Sequence, residues 1–193
     1  DCYMDRFEQS VLVDGSLTLL KQAVETTDGK AIYVAADSYH LPFRESTFDC
    51  ALMIRVFHHL SDSRAILLEI RRVLGESGSL VFNYSNKRSV GQLLDWVTGK
   101  SDNNPFTLDP TGQGTFFASH HPRYIHDLIT GLGYSDTRYF GPGIIEKILE
   151  DFGWIERWLP SPKRVAPFWG KVKLAPWILC QANVRGKPVS TEK

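Results

Sequence analysis

The sequence has few cysteines, no excess of charge of either sign and no long hydrophobic run. Its three cysteines are far apart and show no metal-ligand spacing, so neither a disulfide framework nor a zinc site is predicted. Basic and acidic residues number 22 each, which leaves no basic surface typical of nucleic-acid binding. No apolar stretch approaches the roughly 20 residues of a membrane-spanning helix, and no secretory leader is recognisable. These absences predict a cytoplasmic protein with neither nucleic-acid nor membrane partners.

Short apolar runs alternate with amphipathic segments along the chain. This alternation, with short links, predicts βαβ units and a Rossmann-like, mostly parallel sheet flanked by helices. Several runs are apolar throughout, which is typical of strands covered on both faces. The strands are predicted at Ser10–Val13, Ala31–Ala36, Phe48–Ile54, Ser79–Tyr84, Tyr134–Phe140 and Trp177–Val184, and the main helices begin near Ser16, Asp62, Val90 and Pro122. A length of 193 residues fits one domain spanning residues 1–193.

Two segments break the regular pattern. Residues 85–119 contain a polar stretch rich in asparagine, glycine and proline, and such a long irregular segment in a compact domain is usually functional. We predict a lid or insertion here, beside apolar side chains that would form a substrate pocket. Residues 185–193 predict a disordered C-terminal tail.

Acidic residues follow two of the predicted strands. Open α/β sheets bind nucleotide-like ligands at the carboxyl ends of their strands, so these acids are candidates for ligand binding. The order of residues around the second acid is specific: Asp37, then Leu41-Pro42-Phe43, then Phe48-Asp49, then His59-Leu60. This order resembles the core of the class I S-adenosylmethionine-dependent methyltransferases, particularly the branch that acts on small molecules.

The resemblance implies S-adenosylmethionine as cofactor and a small molecule as methyl acceptor. Asp14 and its neighbours would bind the ribose of the cofactor. Asp37 and Ser38 would bind the adenine, and the residues at the end of the third strand would bind the methionine portion. The implied cofactor-binding residues are Asp14, Gly15, Ser16, Asp37, Ser38, Ile54 and Arg55. An alternative for both acids is a structural role in a turn or helix cap. Arg55 departs from the family, which often has a small polar residue at this position.

Histidines occur as two adjacent pairs, His58-His59 and His120-His121. Adjacent histidines on a regular element do not converge on one ion, so no metal site is predicted. His58 or His121 as a general base is an open alternative because of the ordinary histidine pKa. Methyl transfer from a sulfonium needs mainly alignment and exclusion of water, so no catalytic residue is assigned.

One defining element of the family is missing. No apolar strand leading into a glycine-rich turn precedes Asp14, although that strand lies centrally in the family's sheet. Two explanations stay open: the sequence is a truncated fragment of a complete methyltransferase, or it is a degenerate relative that serves as a binding or scaffold domain without catalysis. We expect truncation, with the first strand absent from this sheet. Whether the chain is an active enzyme and how it oligomerises are not determined by the sequence.

Overall fold

A computed structural model describes residues 7–112, 117–140 and 174–185 of the chain. The chain divides into two compact units, residues 1–45 and 46–193, and each is described by itself. All of the predicted C-terminal tail except Arg185 lies outside the described residues. The described end of the chain is held in place, since the Arg185 N–H donates to the carbonyl of Gly133 at 2.9 Å.

The first unit is a small βαβ arrangement. Strand β1 (Val11–Asp14) is followed by helix α1 (Leu17–Thr26) and strand β2 (Ile32–Ala35). The two strands pair in parallel, with Asp14 opposite Ala35 in the register. Because the strands are parallel, their carboxyl ends lie at the same edge of this sheet.

The second unit contains a five-stranded mixed sheet in the order β3-β4-β7-β6, with β5 also paired to β4. β3 and β5 run parallel to β4, whereas β7 runs antiparallel to both β4 and β6. The strands are β3 (Phe48–Met53), β4 (Leu74–Asn86), β5 (Ser119–His120), β6 (Tyr134–Phe140) and β7 (Trp177–Val184). The helices are α2 (Ser63–Val73), α3 (Val90–Val97) and α4 (Pro122–Gly131), with a short 3-10 turn at Phe57–His59.

An apolar core fills the second unit. The rings of Phe57 and Phe82 lie 4.9 Å apart, and both side chains are completely buried. The Tyr134 hydroxyl donates to the carbonyl of Leu67 at 3.0 Å, which joins β6 to α2 inside this core. Burial of large apolar side chains supplies the main driving force for such a fold. Its other fully buried large apolar side chains include Ile66, Leu80, Ile125, Ile129 and Ile178.

The described elements confirm the predicted α/β fold and most of its boundaries. The strands Tyr134–Phe140 and Trp177–Val184 have the predicted limits, and the helix Val90–Val97 begins at the predicted residue. β4 is longer than predicted, because residues 74–78 continue the strand through an irregular register with β3. Cys50 is half-buried in β3.

β1 and β3 each pair with a single strand among the described residues. β1 pairs with β2 alone, and β3 pairs with β4 alone. β1 and β3 therefore each have one edge that no described strand covers. Unpaired strand edges carry backbone N–H and C=O groups that a further strand would satisfy.

Candidate functional site

The two predicted acids lie at the same edge of the first unit. Asp14 is the last residue of β1, and Asp37 comes two residues after the end of β2. The Ala36 N–H donates to the carbonyl of Asp14 at 3.2 Å, so the two strands remain paired up to this point. The position of both acids at the carboxyl ends of neighbouring parallel strands is the one that the sequence predicted.

The Asp14 carboxylate takes part in the turn that leads into α1. Its Oδ1 accepts the Ser16 N–H at 2.7 Å. Ser16 in turn caps α1, since its Oγ accepts the Leu19 N–H at 3.3 Å. An added Cβ on Gly15 would make only an ordinary contact with the Ala36 carbonyl oxygen, 3.8 Å away. Asp14 therefore stabilises the turn before α1, which is the structural role given above as the alternative to ligand binding. Its other carboxylate oxygen, Oδ2, has no hydrogen-bond partner among the described residues.

Asp37 is an exposed, ionised carboxylate. Its Oδ1 accepts the Tyr39 N–H at 2.9 Å, and its Oδ2 lies 3.1 Å from His40 Nδ1. The Tyr39 backbone hydrogen bond and, secondly, His40 hold the pKa of this carboxyl below its usual value. The neighbouring Ser38 is half-buried. An ionised carboxylate at a strand end can accept hydrogen bonds from an exocyclic amine or a sugar diol.

The other two predicted cofactor residues belong to the second unit. Ile54 and Arg55 follow β3 directly, and both are exposed. Arg55 has a φ of 62°, a left-handed conformation that is uncommon for a residue with a long side chain. Its N–H donates to Oδ1 of Asn83 at 2.6 Å, which holds the turn against β4.

A buried polar cluster lies at the carboxyl ends of β3, β4 and β5, and the sequence did not predict it as a unit. We call it the histidine–lysine cluster; it consists of His58, Ser63, Tyr84, Lys87 and His120. All five residues are at most 4% exposed. Three of their polar side-chain atoms have no hydrogen-bond partner within the described part of the chain, which is unusual for buried polar groups: Nδ1 of His58, Nδ1 of His120 and the hydroxyl oxygen of Tyr84.

His120 is the central member of this cluster. Its Nε2 lies 3.1 Å from the Ser63 hydroxyl, and its ring lies 5.0 Å from that of Phe57. Burial, and then the nearby His58 and Lys87, lower the His120 pKa to about 4, so the ring is neutral near neutral pH. Burial similarly lowers the pKa of His58. In both rings burial thus favours the uncharged form.

Lys87 is the charged member of the cluster. Its Nζ donates to Oγ1 of Thr107 at 2.9 Å and to the backbone carbonyl of Asp109 at 2.7 Å. Burial lowers its pKa, an effect that the charge of Asp109 partly opposes. No carboxylate oxygen lies within 4.0 Å of Nζ among the residues that the structure describes. The one feature of the sequence that could have indicated a functional role for Lys87 is its position directly after a strand.

The remaining two histidines of the adjacent pairs, His121 and His59, lie outside the histidine–lysine cluster. His121 is the N-cap of α4, because its Nδ1 accepts the Arg123 N–H at 3.0 Å. His59 is exposed, and its ring packs 4.0 Å from that of His58. In the described ranges, no three histidine, cysteine or acidic side chains come together as a metal site would require. No described helix is both long and apolar enough to cross a membrane.

Comparison with known proteins agrees with this arrangement. Residues 1–82 match a family model described as a methyltransferase domain. The fold matches a Thermotoga maritima S-adenosylmethionine-dependent methyltransferase, described as a possible histamine N-methyltransferase, with a TM-score of 0.58. That match is 13% identical and covers 90% of this chain and 72% of that chain. The chain thus resembles the S-adenosylmethionine-dependent methyltransferases, in sequence over residues 1–82 and in fold over most of its length. The resemblance found in the sequence is confirmed.

Two further matches bear on what this resemblance says about activity. An uncharacterized protein of Methanocaldococcus jannaschii is 32% identical over 164 residues, which cover 81% of this chain and 62% of that protein. The present chain thus spans less than two thirds of the length of this curated protein. The [4+2]-cyclase SpnF has the same fold, with a TM-score of 0.57, 15% identity and coverage of 93% and 67% of the two chains. A shared fold does not by itself fix the reaction.

Proposed function

We propose that this protein transfers a methyl group from S-adenosylmethionine to a small molecule. The observation that carries the proposal is the placement of Asp14 and Asp37 at the carboxyl ends of neighbouring parallel strands. Ligands of open α/β sheets bind at this edge. The family match over residues 1–82 includes both acids. A cytoplasmic location is part of this proposal, and cell fractionation would test it.

The carboxylates fit the adenosine portion of this cofactor. Oδ2 of Asp14 has no partner among the described residues, so it is able to accept a ribose hydroxyl, with Gly15 and Ser16 in the adjoining turn. Asp37 is ionised and exposed, which suits a hydrogen bond from the adenine amine, and Ser38 lies beside it. Hydrogen bonds to an ionised acceptor are stronger than neutral ones and fix orientation.

At the methionine end, the proposal assigns Ile54 and Arg55. The backbone at Arg55 is held by Asn83, so the groups that follow β3 have a fixed position. When bound, the cofactor supplies an electrophilic methyl group on a sulfonium. The task left to the protein is to align the acceptor with that group and to exclude water, and we assign no general base.

We further propose that this sequence is part of a longer enzyme, in which another segment supplies the glycine-rich strand. The uncovered edges of β1 and β3 support this proposal, as does the 62% coverage of the Methanocaldococcus jannaschii protein. The alternative is a scaffold domain that shares the fold without methyl transfer. The absence of a glycine-rich turn from the sequence favours that alternative, and the cyclase with the same fold shows that other functions use it.

Calorimetric titration with S-adenosylhomocysteine tests these proposals. The present chain is compared with the same chain extended by the residues encoded upstream, and with the variant Asp37→Asn in both. We expect binding by the longer chain, weakened at least about tenfold by Asp37→Asn, because the amide loses the charge that strengthens the hydrogen bond. The matched control is Asp28→Asn, an exposed acid in the α1–β2 turn. Failure of both chains to bind would support the scaffold alternative.

A further inference from the structure

Lys87 is a buried cation that forms no ion pair with any residue that the structure describes. It is only 2% exposed, yet both groups that its ammonium contacts are neutral: a threonine hydroxyl and a backbone carbonyl. An ammonium has three N–H donors, so one of them has no partner among the described residues. Burying an unpaired charge is costly, and buried charges in proteins are normally paired. A negatively charged ligand would supply both the missing acceptor and the missing charge.

The neighbouring histidines offer further donors. The neutral ring of His120 carries one proton, and its Nε2 is engaged with the Ser63 hydroxyl. If that hydroxyl donates to Nε2, the proton lies on Nδ1, which is buried and has no acceptor among the described residues. Nδ1 of His58 is likewise buried and without a partner there. The cluster thus combines one positive charge with two unused ring nitrogens.

The arrangement of the strands brings these groups to one edge of the sheet. His120 ends β5, Lys87 follows the end of β4, and the two are joined by a hydrogen bond from the Lys87 N–H to the His120 carbonyl at 3.2 Å. The His58 carbonyl accepts the Ala118 N–H at 2.7 Å, which ties the turn after β3 to the residues before β5. His58 and Lys87 each lie near enough to His120 to lower its pKa.

Acidic groups near the cluster are already engaged or exposed. Asp62 caps α2 by accepting the N–H groups of Arg64 and Ala65, both at 2.9 Å. Asp109 is exposed and contacts Lys87 through its backbone carbonyl. The cluster therefore keeps the positive charge of Lys87 without a carboxylate in hydrogen-bonding distance among the described residues.

We propose that Lys87, His58 and His120 bind an anionic group, a carboxylate or a phosphate, of the methyl acceptor. This inference rests on the proposed function, and it narrows the substrate class to acidic small molecules. Lys87 supplies the charge, and the two ring nitrogens supply hydrogen bonds. Ser63 acts as a positioning residue, since it orients His120.

The test is a titration of the full chain with inorganic phosphate and with acetate, at constant ionic strength set by chloride. Thermal unfolding and calorimetry report binding without any S-adenosylhomocysteine, so the result is independent of the cofactor experiment. We expect saturable stabilisation by at least one of the two anions. Phosphate alone would indicate phosphorylated acceptors, whereas acetate, alone or with phosphate, would indicate carboxylic acids. Absence of a saturable effect with either anion would overturn the proposal.

Lys87→Gln and Lys100→Gln form a matched pair of variants. The glutamine at position 87 keeps a donor for the Thr107 and Asp109 oxygens but has no charge, and we expect anion affinity to fall at least about tenfold. Lys100 is exposed just after α3, and its replacement should leave the affinity unchanged. Retained affinity in Lys87→Gln would contradict the assignment. If that variant does not fold, Lys87→Arg, which keeps the charge, must still bind the anion, and a folded Lys87→Arg without affinity would overturn the proposal.

Discussion

The Ser63 hydroxyl and Nε2 of His120 lie 3.1 Å apart, although 57 residues separate them in the sequence. Ser63 is the first residue of α2, and His120 is the last residue of β5. Both side chains are buried, so this hydrogen bond joins the start of a helix to the edge of the sheet. It fixes the orientation of a ring that would otherwise have no polar contact.

Replacing Ser63 by alanine should destabilise the protein. The change leaves Nε2 of His120 buried without a partner, and such a loss costs about 1–3 kcal/mol. Urea denaturation would measure the change in the free energy of unfolding. Ser61→Ala, at an exposed position two residues earlier, should cost much less. Equal costs for the two variants would show that the His120 contact contributes little to stability.

The stability of the protein should fall as the pH drops below about 6.5. The pKa of His120 is about 4 in the folded chain, against an ordinary value of 6.5, because burial disfavours the charged ring. The unfolded chain therefore binds more protons in this range, and the contribution of His120 is complete above the ordinary value and is lost as the pH falls towards 4. Between pH 7 and pH 5 the expected loss is about 2 kcal/mol.

His120→Gln provides the control for this pH dependence. Its amide can still contact Ser63, but it does not titrate. The free energy of unfolding of this variant, measured by urea denaturation over the same pH range, should decrease less steeply than that of the unaltered chain. The stability of this variant should still decrease somewhat with falling pH, because burial also lowers the pKa of His58. An unchanged slope would show that His120 is not the group responsible.

Arg55→Gly should leave the stability nearly unchanged. Glycine adopts a positive φ without the roughly 1 kcal/mol steric cost that a side chain brings, and this gain offsets the greater entropy of glycine in the unfolded chain. Arg64→Gly, on the exposed face of α2, should lose up to about 1 kcal/mol, since it has no such gain. Chemical denaturation of both variants distinguishes the cases. A loss for Arg55→Gly as large as that for Arg64→Gly would mean that the arginine side chain contributes to folding.

Local sequence signals were sufficient to predict the strands and helices that have an unbroken apolar pattern. Apolar periodicity and capping residues act over a few neighbouring positions. They predicted the strands Tyr134–Phe140 and Trp177–Val184 and the capped helices after Ser16 and Asp62. The two-residue strand at Ser119–His120 and the 3-10 turn at Phe57–His59 were not predicted. Both are too short for a periodic pattern, and β5 forms because the distant strand β4 pairs with it.

The sequence by itself determined the α/β class, the resemblance to methyltransferases and the position of Asp14 and Asp37 at strand ends, because each depends on residue order along a short stretch. Only the tertiary structure decided which strands lack a neighbour, and which buried groups meet. His58, Ser63, Lys87 and His120 come from four separate segments, and no local pattern relates them. Their association depends on the parallel pairing of β3 and β5 with β4, which brings strand ends distant in sequence to one edge.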